Sequence, residues 1–110
     1  MKKSIILSLA MTLLFLSFLS AEPEKHSYQP ENGYVPDETT AVKVAEAVLI
    51  PIYGKEQIYG ERPFKAELKD GVWTVEGTLK CPEGQTCKGG VAIIEISKDD
   101  GTILKVSHGE

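Results

Sequence analysis

The chain has 110 residues, of which 42% are hydrophobic and 25% are charged, and it carries a formal net charge of −4. This composition is ordinary for one small soluble domain. An acidic chain without clusters of Lys and Arg lacks the positive surface that binds a phosphate backbone, which excludes a nucleic-acid partner. The acidity suits solubility and a basic protein partner.

The first 21 residues have the layout of a secretory signal peptide. Lys2 and Lys3 precede an almost unbroken apolar run over residues 5–19, and Ala21 offers a cleavage point. The run is too short for a comfortable membrane span, and an uncleaved N-terminal anchor is the alternative. Cleavage near Ala21 predicts a periplasmic or secreted protein with no membrane contact. Because only the two lysines are lost among the charged residues, the net charge becomes −6.

A flexible tether and then a helix are predicted to follow the signal peptide. Residues 22–36 are rich in Pro, Glu and single polar residues, as tethers are. A single domain is predicted over residues 37–110, beginning with a helix that Asp37 caps. Pro51 is expected to break or bend its last turn, and Gly54 to end it. The apolar residues of the helix follow one stripe: Ala41, Val44, Ala45, Val48, Leu49 and Ile52.

The first of two hairpins is marked by its turn. Asp70 and Gly71 suit a two-residue connection, because Gly accepts the positive φ that such a turn requires. Pairing across the turn places Leu68 beside Trp73 on the buried face. The alternation extends to residue 80, and the predicted inward positions are Phe64, Ala66, Leu68, Trp73, Val75 and Leu79.

The second hairpin joins residues 91–97 to residues 102–107. The side chains expected on its buried face are Ile94, Ile96, Leu104 and Val106. Those expected on the other face are Val91, Ile93 and Ile103. The predicted architecture is therefore an α+β domain, in which one N-terminal helix packs on an antiparallel sheet of about four strands.

Cys81 and Cys87 are the only cysteines, and an even count in an exported chain predicts a disulfide. Closing so small a ring stabilises the fold by roughly 2 kcal/mol in the chain-entropy treatment. Two thiols without a nearby His fall short of a four-ligand zinc site, and their C-x5-C spacing is not that of a redox dithiol.

No catalytic, cofactor or metal site is predicted. His108 is the only histidine of the predicted domain and is expected to be satisfied or solvated. The Asp-Asp-Gly sequence at residues 99–101 lacks the other oxygen ligands of a calcium loop. The Gly-Gly pair at residues 89–90 precedes a strand, whereas a phosphate-binding loop precedes a helix. The residues therefore favour binding over catalysis.

Three segments, in this order, carry a resemblance to a known family: AEAVLIPIYG (residues 45–54), PFKAELKDGVWTVEGTL (63–79) and GGVAIIEISKDDGTILKVSHG (89–109). They resemble the YbbC/YhhH family, whose members are described as immunity proteins. The resemblance spans residues 33–109 and implies a compact version of the cystatin-like or nuclear-transport-factor-2-like fold. It also implies a protein that binds and blocks a cognate bacterial toxin, with no cofactor and no catalytic residue to transfer.

Two other functions stay open. A PepSY-like domain has a similar helix and meander, and such domains are linked with inhibition of secreted peptidases or serve as envelope modules. A small enzyme of the nuclear-transport-factor-2-like fold is the third reading. It requires a deep pocket lined by at least two convergent polar side chains.

The predicted partner interface has two parts. Tyr59 and Arg62 lie in the connection between helix and sheet and are residue types enriched at binding hot spots. The outward sheet face, which the alternation leaves free for a partner, contributes the second set: Lys65, Glu67, Glu76 and Ile93.

Overall fold

The computed structural model describes residues 27–87 and 89–109, so the predicted signal peptide and residues 22–26 of the predicted tether lie outside the described residues. The elements are α1 (Glu38–Tyr53), α2 (Lys55–Gly60), β1 (Lys65–Lys69), β2 (Val72–Glu76), β3 (Ala92–Ser97) and β4 (Ile103–His108). The strands form one antiparallel sheet in the order β1-β2-β3-β4. The predicted fold class, a helix packed on four antiparallel strands, is confirmed.

Helix α1 forms where its cap and its apolar stripe predict, although Ile52, the last residue of that stripe, is exposed. The Thr40 N–H donates to Asp37 Oδ1 at 2.8 Å and so satisfies one of the free donors of the first turn. The helix packs on β1, β2 and β3 through three buried residues spaced four apart, Ala41, Ala45 and Leu49. Within residues 27–87 and 89–109, no helix is long and apolar enough to cross a bilayer.

The helix continues through Pro51 to Tyr53, so Pro51 does not break it. A proline this close to the end removes only one of the last hydrogen bonds. The helix ends at Gly54, whose backbone has a φ of 95° and whose N–H donates to the Ile50 carbonyl at 2.8 Å. The turn at Gly54 leads directly into α2, which places a second, short helix beside the end of the first.

The register of the first hairpin is the one that its turn predicts. Leu68 pairs with Trp73 and Ala66 with Val75. Two expectations for its inward face are wrong. Leu68 is 46% exposed, because β1 is an edge strand and has no neighbour on its outer side. Leu79 is exposed because β2 ends at Glu76 and the chain then leaves the sheet.

The second hairpin differs from its prediction at a bulge. The pairing slips between Glu95 and Ile96, so that Ile96 lies opposite Ile103 and Leu104 becomes the unpaired extra residue. Leu104 is therefore exposed, although the alternation had placed it on the buried face. Val91 is buried against expectation, since it precedes β3 and does not follow the alternation of that strand.

Part of the predicted tether packs on the sheet. The N–H groups of Tyr34 and Val35 donate to the carbonyls of Asp99 and Lys98, both at 3.0 Å. Val35 is only 2% exposed, and its own carbonyl accepts a hydrogen bond from the Trp73 indole Nε1 at 2.8 Å. The chain from Gly33 to Val35 therefore covers one end of the core.

Trp73→Phe is expected to lower the free energy of unfolding by about 1–3 kcal/mol, because it leaves the buried Val35 carbonyl without a partner and removes packing volume. Tyr34→Phe is the matched control, since it deletes a hydrogen bond from an exposed hydroxyl to the Tyr28 carbonyl. The control is expected to change stability by less than about 0.5 kcal/mol. Urea unfolding of both variants checks this, and equal losses would contradict it.

Candidate functional site

Helix α2 presents Tyr59 between two cationic side chains. The Arg62 guanidinium carbon lies 3.7 Å from the centre of the Tyr59 ring, and Lys55 Nζ lies 5.3 Å from it. Arg62 also makes a two-pronged ion pair with Glu46 of α1, with N–O distances of 2.6 and 2.9 Å. These four residues, named here the Tyr59 patch, form a partly exposed and pre-ordered surface.

The outward sheet face brings three of the predicted interface residues into one row. Lys65 lies opposite Glu76, and Glu76 lies opposite Ile93 across the next pair of strands. Glu67 lies in the neighbouring row, opposite Thr74. Lys65, Glu67 and Glu76 are exposed and Ile93 is half-buried. Two of the three residues of this row are exposed, so the row is accessible to a partner.

The two predicted interface regions lie on different sides of β1. Arg62 is held against α1, which covers the inner side of the sheet, whereas Lys65 alternates with the inward Ala66 and so points away from α1. A partner that contacts both regions has to wrap around the β1 edge. Sequence alternation alone placed the sheet-face residues, but it contained no information on where Arg62 would pack.

A buried carboxylate lies at the end of α2. Glu61 follows α2 and is 6% exposed, the only buried charged residue among the described ones. Its Oε1 accepts the Ala92 N–H at 2.6 Å, and its Oε2 accepts Gln57 Nε2 at 2.9 Å. Its backbone carbonyl accepts the Thr78 N–H at 2.7 Å. Glu61 thus joins α2, the end of β2 and the start of β3.

His108 completes the network around Glu61. Its Nε2 lies 3.0 Å from Glu61 Oε2, and its ring packs against Tyr53 with centroids 5.1 Å apart. The hydrogen bond to Glu61 and the one to the Gly109 carbonyl raise the pKa of His108 above its ordinary value. Burial opposes ionisation of Glu61, but the hydrogen bonds from Ala92, Gln57 and His108 outweigh it and lower the pKa of Glu61.

A groove of about 240 Å³ lies between α2 and the segment that joins β2 to β3. Gln57 and Glu61 line one side of it, and Thr78 and Leu79 line the other. The joining segment contains a disulfide between its two cysteines, whose Cα atoms are 5.7 Å apart. Because the cross-link restricts the conformations of the segment, it limits how far this wall of the groove moves.

The polar side chains of this region form hydrogen bonds with one another within the fold. Among the described residues, no three His, Cys, Asp or Glu side chains come together as metal ligands do. The space beneath α1 is filled by buried apolar side chains from the sheet and from the residue before β1, namely Phe64, Trp73, Val75, Ile94 and Ile96. In the groove, both carboxylate oxygens of Glu61 accept hydrogen bonds, Oε1 from the Ala92 N–H and Oε2 from Gln57 and His108.

Sequence reasoning missed Glu61. A glutamate between Gly60 and Arg62 in a polar connection has the local pattern of a solvated residue. Its burial follows from contacts with residues 31 and 47 positions away, Ala92 and His108, which no local pattern records. The one sequence signal is Gly77, where an added Cβ would lie 2.7 Å from Glu61 Oε1, so that a larger residue would have to displace the carboxylate.

Comparison with known proteins identifies the family. The profile of the NTF2 fold immunity protein family, Imm-NTF2-2, matches residues 40–110, which is more than half of the chain. The chain belongs to the NTF2 fold immunity protein family. The match includes α1 from its third residue onward, α2 and all four strands, and it agrees with the resemblance that the three sequence segments carry.

Two relatives of this NTF2 fold immunity protein come from Escherichia coli. The uncharacterized protein YhhH is 34% identical over 88 residues, which are 76% of this chain and 67% of YhhH. The uncharacterized protein YbbC is 39% identical over 77 residues, which are 69% of this chain and 60% of YbbC. The chain thus spans about two thirds of the length of these relatives or less. No solved structure matches it.

Proposed function

We propose that this protein is an exported immunity protein that binds a cognate bacterial toxin and neutralises it by direct protein–protein contact. The observation that carries the proposal is membership of the NTF2 fold immunity protein family over residues 40–110. Family membership favours this function over the PepSY-like and enzymatic alternatives. The net charge of −6 after signal cleavage favours a basic toxin, because opposite charges accelerate encounter and align the partners.

Export is the second part of the proposal. The disulfide between Cys81 and Cys87 supports it, since such bonds persist in the periplasm and outside the cell but are rare in the cytosol. The basic and apolar N-terminal sequence, with its cleavage point near Ala21, supports the same compartment. The toxin is then one that acts in the periplasm or passes through it.

The two regions proposed to contact the toxin differ in their physical character. The Tyr59 patch offers an aromatic ring whose orientation is fixed by Arg62 and Glu46, so little side-chain freedom is lost when a partner binds. In the row of Lys65, Glu76 and Ile93, two oppositely charged side chains lie next to an apolar one. The first is proposed as the anchor and the second as the surface that selects the partner.

Co-expression tests the function. The toxin encoded beside this gene, directed to the periplasm, is expected to stop growth, and the full chain with its signal sequence is expected to restore it. The chain without residues 1–21 is expected to give no rescue, because it stays in the cytosol. Failure of the full chain to rescue growth, with both proteins detected in the periplasm, would overturn the proposed function for that toxin.

Alanine variants test the interface. Tyr59→Ala and Glu76→Ala are each expected to weaken toxin binding at least about tenfold in calorimetry, which corresponds to about 1.4 kcal/mol. Lys43→Ala, an exposed change on α1 outside both regions, is the matched control and is expected to leave the affinity unchanged. Rescue of growth combined with unchanged affinity in both interface variants would refute the interface and leave the function standing.

A further inference from the structure

Both ring nitrogens of His108 face hydrogen-bond acceptors. Nδ1 lies 2.6 Å from the Gly109 carbonyl oxygen, which only accepts, so the nitrogen must donate. Nε2 lies 3.0 Å from the Glu61 carboxylate, which accepts when it is ionised. A neutral imidazole has one N–H, whereas this geometry has room for two donors. The arrangement therefore fits an imidazolium that donates from both nitrogens.

The surroundings of the His108 ring favour its protonated, positively charged form. Among the described residues, the charged group paired with the ring is Glu61, which directly follows α2, and Tyr53 faces it from α1 with its ring. On the neighbouring strand the residue opposite His108 is Ala92, which carries no charge. The side chains of Glu61 and His108 are 8% and 23% exposed, so water screens the pair only in part.

We propose that His108 and Glu61 form a proton-dependent clasp, which fastens the end of β4 to α2 while His108 is protonated and loosens when that proton leaves. Loss of the proton leaves the Nε2 lone pair directed at Glu61 Oε2, which converts a charge-assisted hydrogen bond into a contact between two acceptors. Glu61 also holds Gln57 and the Ala92 N–H. Loosening of the clasp therefore affects the wall of the groove as well as β4.

The direction of the pH dependence follows from the two members of the clasp. The pKa of His108 is raised by folding, so its stabilising effect is complete below the ordinary histidine value of about 6.5 and is lost as the pH rises through the folded value. The pKa of Glu61 is lowered, so its effect is complete above the ordinary glutamate value of about 4.3 and is lost as the pH falls through the folded value. The clasp is tightest in the mildly acidic range between those two ordinary values. For an exported protein this makes stability respond to the pH of the surroundings.

Proton NMR of the histidine rings tests the clasp in the full mature chain. His26→Gln removes the other histidine, so that the remaining titration belongs to His108. In the folded protein His108 is expected to titrate at a higher pH than in the same protein unfolded by concentrated urea. Adding Glu61→Gln is expected to reduce that difference, because Glu61 is the largest cause of the raised pKa of His108 and the hydrogen bond to the Gly109 carbonyl remains. Equal midpoints in the folded and unfolded states would overturn the proposal.

Urea unfolding as a function of pH provides an independent measurement that does not rely on a Glu61 variant. Between pH 5.5 and pH 8, the unfolding midpoint of the natural sequence is expected to fall, whereas that of His108→Gln is expected to change less. The control Glu56→Gln alters an exposed carboxylate of α2 and should keep the full pH dependence. If His108→Gln retained the same pH dependence as the natural sequence, the clasp would be refuted.

Discussion

Glu61→Ala is expected to lower the free energy of unfolding by about 2–4 kcal/mol. The substitution removes the carboxylate that accepts the hydrogen bond of the buried Ala92 N–H. It also removes the counter-charge of His108 and the partner of Gln57. The loss combines an unsatisfied buried donor with a half-buried cation, and both effects act on the same end of the sheet.

Chemical denaturation at pH 6 measures this effect, because the clasp is complete there. Glu56→Ala is the matched control, since it removes a glutamate side chain from an exposed position within α2. The control is expected to change stability by less than about 0.5 kcal/mol. Similar losses in the two variants would mean that the Glu61 network contributes nothing beyond ordinary helix effects.

The parts of the fold that the sequence predicts are those governed by neighbours in the chain. Asp37 caps α1 because the cap lies three residues from the N–H group that it accepts. The register of β1 with β2 follows from the two-residue turn at Asp70 and Gly71, where both residues have positive φ. In both cases a short stretch of chain specifies the geometry, so pattern reasoning is sufficient.

The corrections arise where the geometry depends on distant segments. The bulge opposite Ile96 displaces Leu104 from the buried face, and simple alternation assumes that no residue is inserted. The docking of Val35 beneath Trp73 joins segments 38 residues apart. The burial of Glu61 also depends on distant segments, because the Ala92 N–H that donates to its carboxylate is brought near only in the complete fold.

The sequence predicts the arrangement of the sheet-face region but not that of the Tyr59 patch. Alternation along β1 and β2 identifies Lys65 and Glu76 as outward, and pairing then makes them neighbours. Residue type alone predicts Tyr59 and Arg62, whereas their mutual stacking and the ion pair with Glu46 depend on how α2 folds back on α1. The sheet-face region is thus a prediction from strand periodicity, whereas the Tyr59 patch takes its order from tertiary packing.

Ile94→Ala is expected to have the largest effect on stability, a loss of about 2–5 kcal/mol. Ile94 lies at the middle of β3, an inner strand, and is completely buried. The vacated space is bounded by Val75 on one side and Val106 on the other, which are its partners across the sheet, and backbone pairing on both sides prevents β3 from closing the gap. The free energy of unfolding of a small domain is roughly 5–15 kcal/mol, so this single change is expected to remove a large part of it.

Ile93→Ala is the matched control, because it makes the same substitution one residue earlier, on the opposite face of the same strand. Ile93 is half-buried and belongs to the proposed toxin-binding row, so its loss is expected to weaken toxin binding while costing less than about 1.5 kcal/mol of stability. Thermal unfolding and calorimetric titration of the two variants separate the effects. Ile94→Ala is expected to bind the toxin with unchanged affinity at temperatures where it stays folded, because its side chain lies beneath the surface. Weaker binding by folded Ile94→Ala, with full affinity in Ile93→Ala, would place the toxin contact elsewhere than on the sheet face.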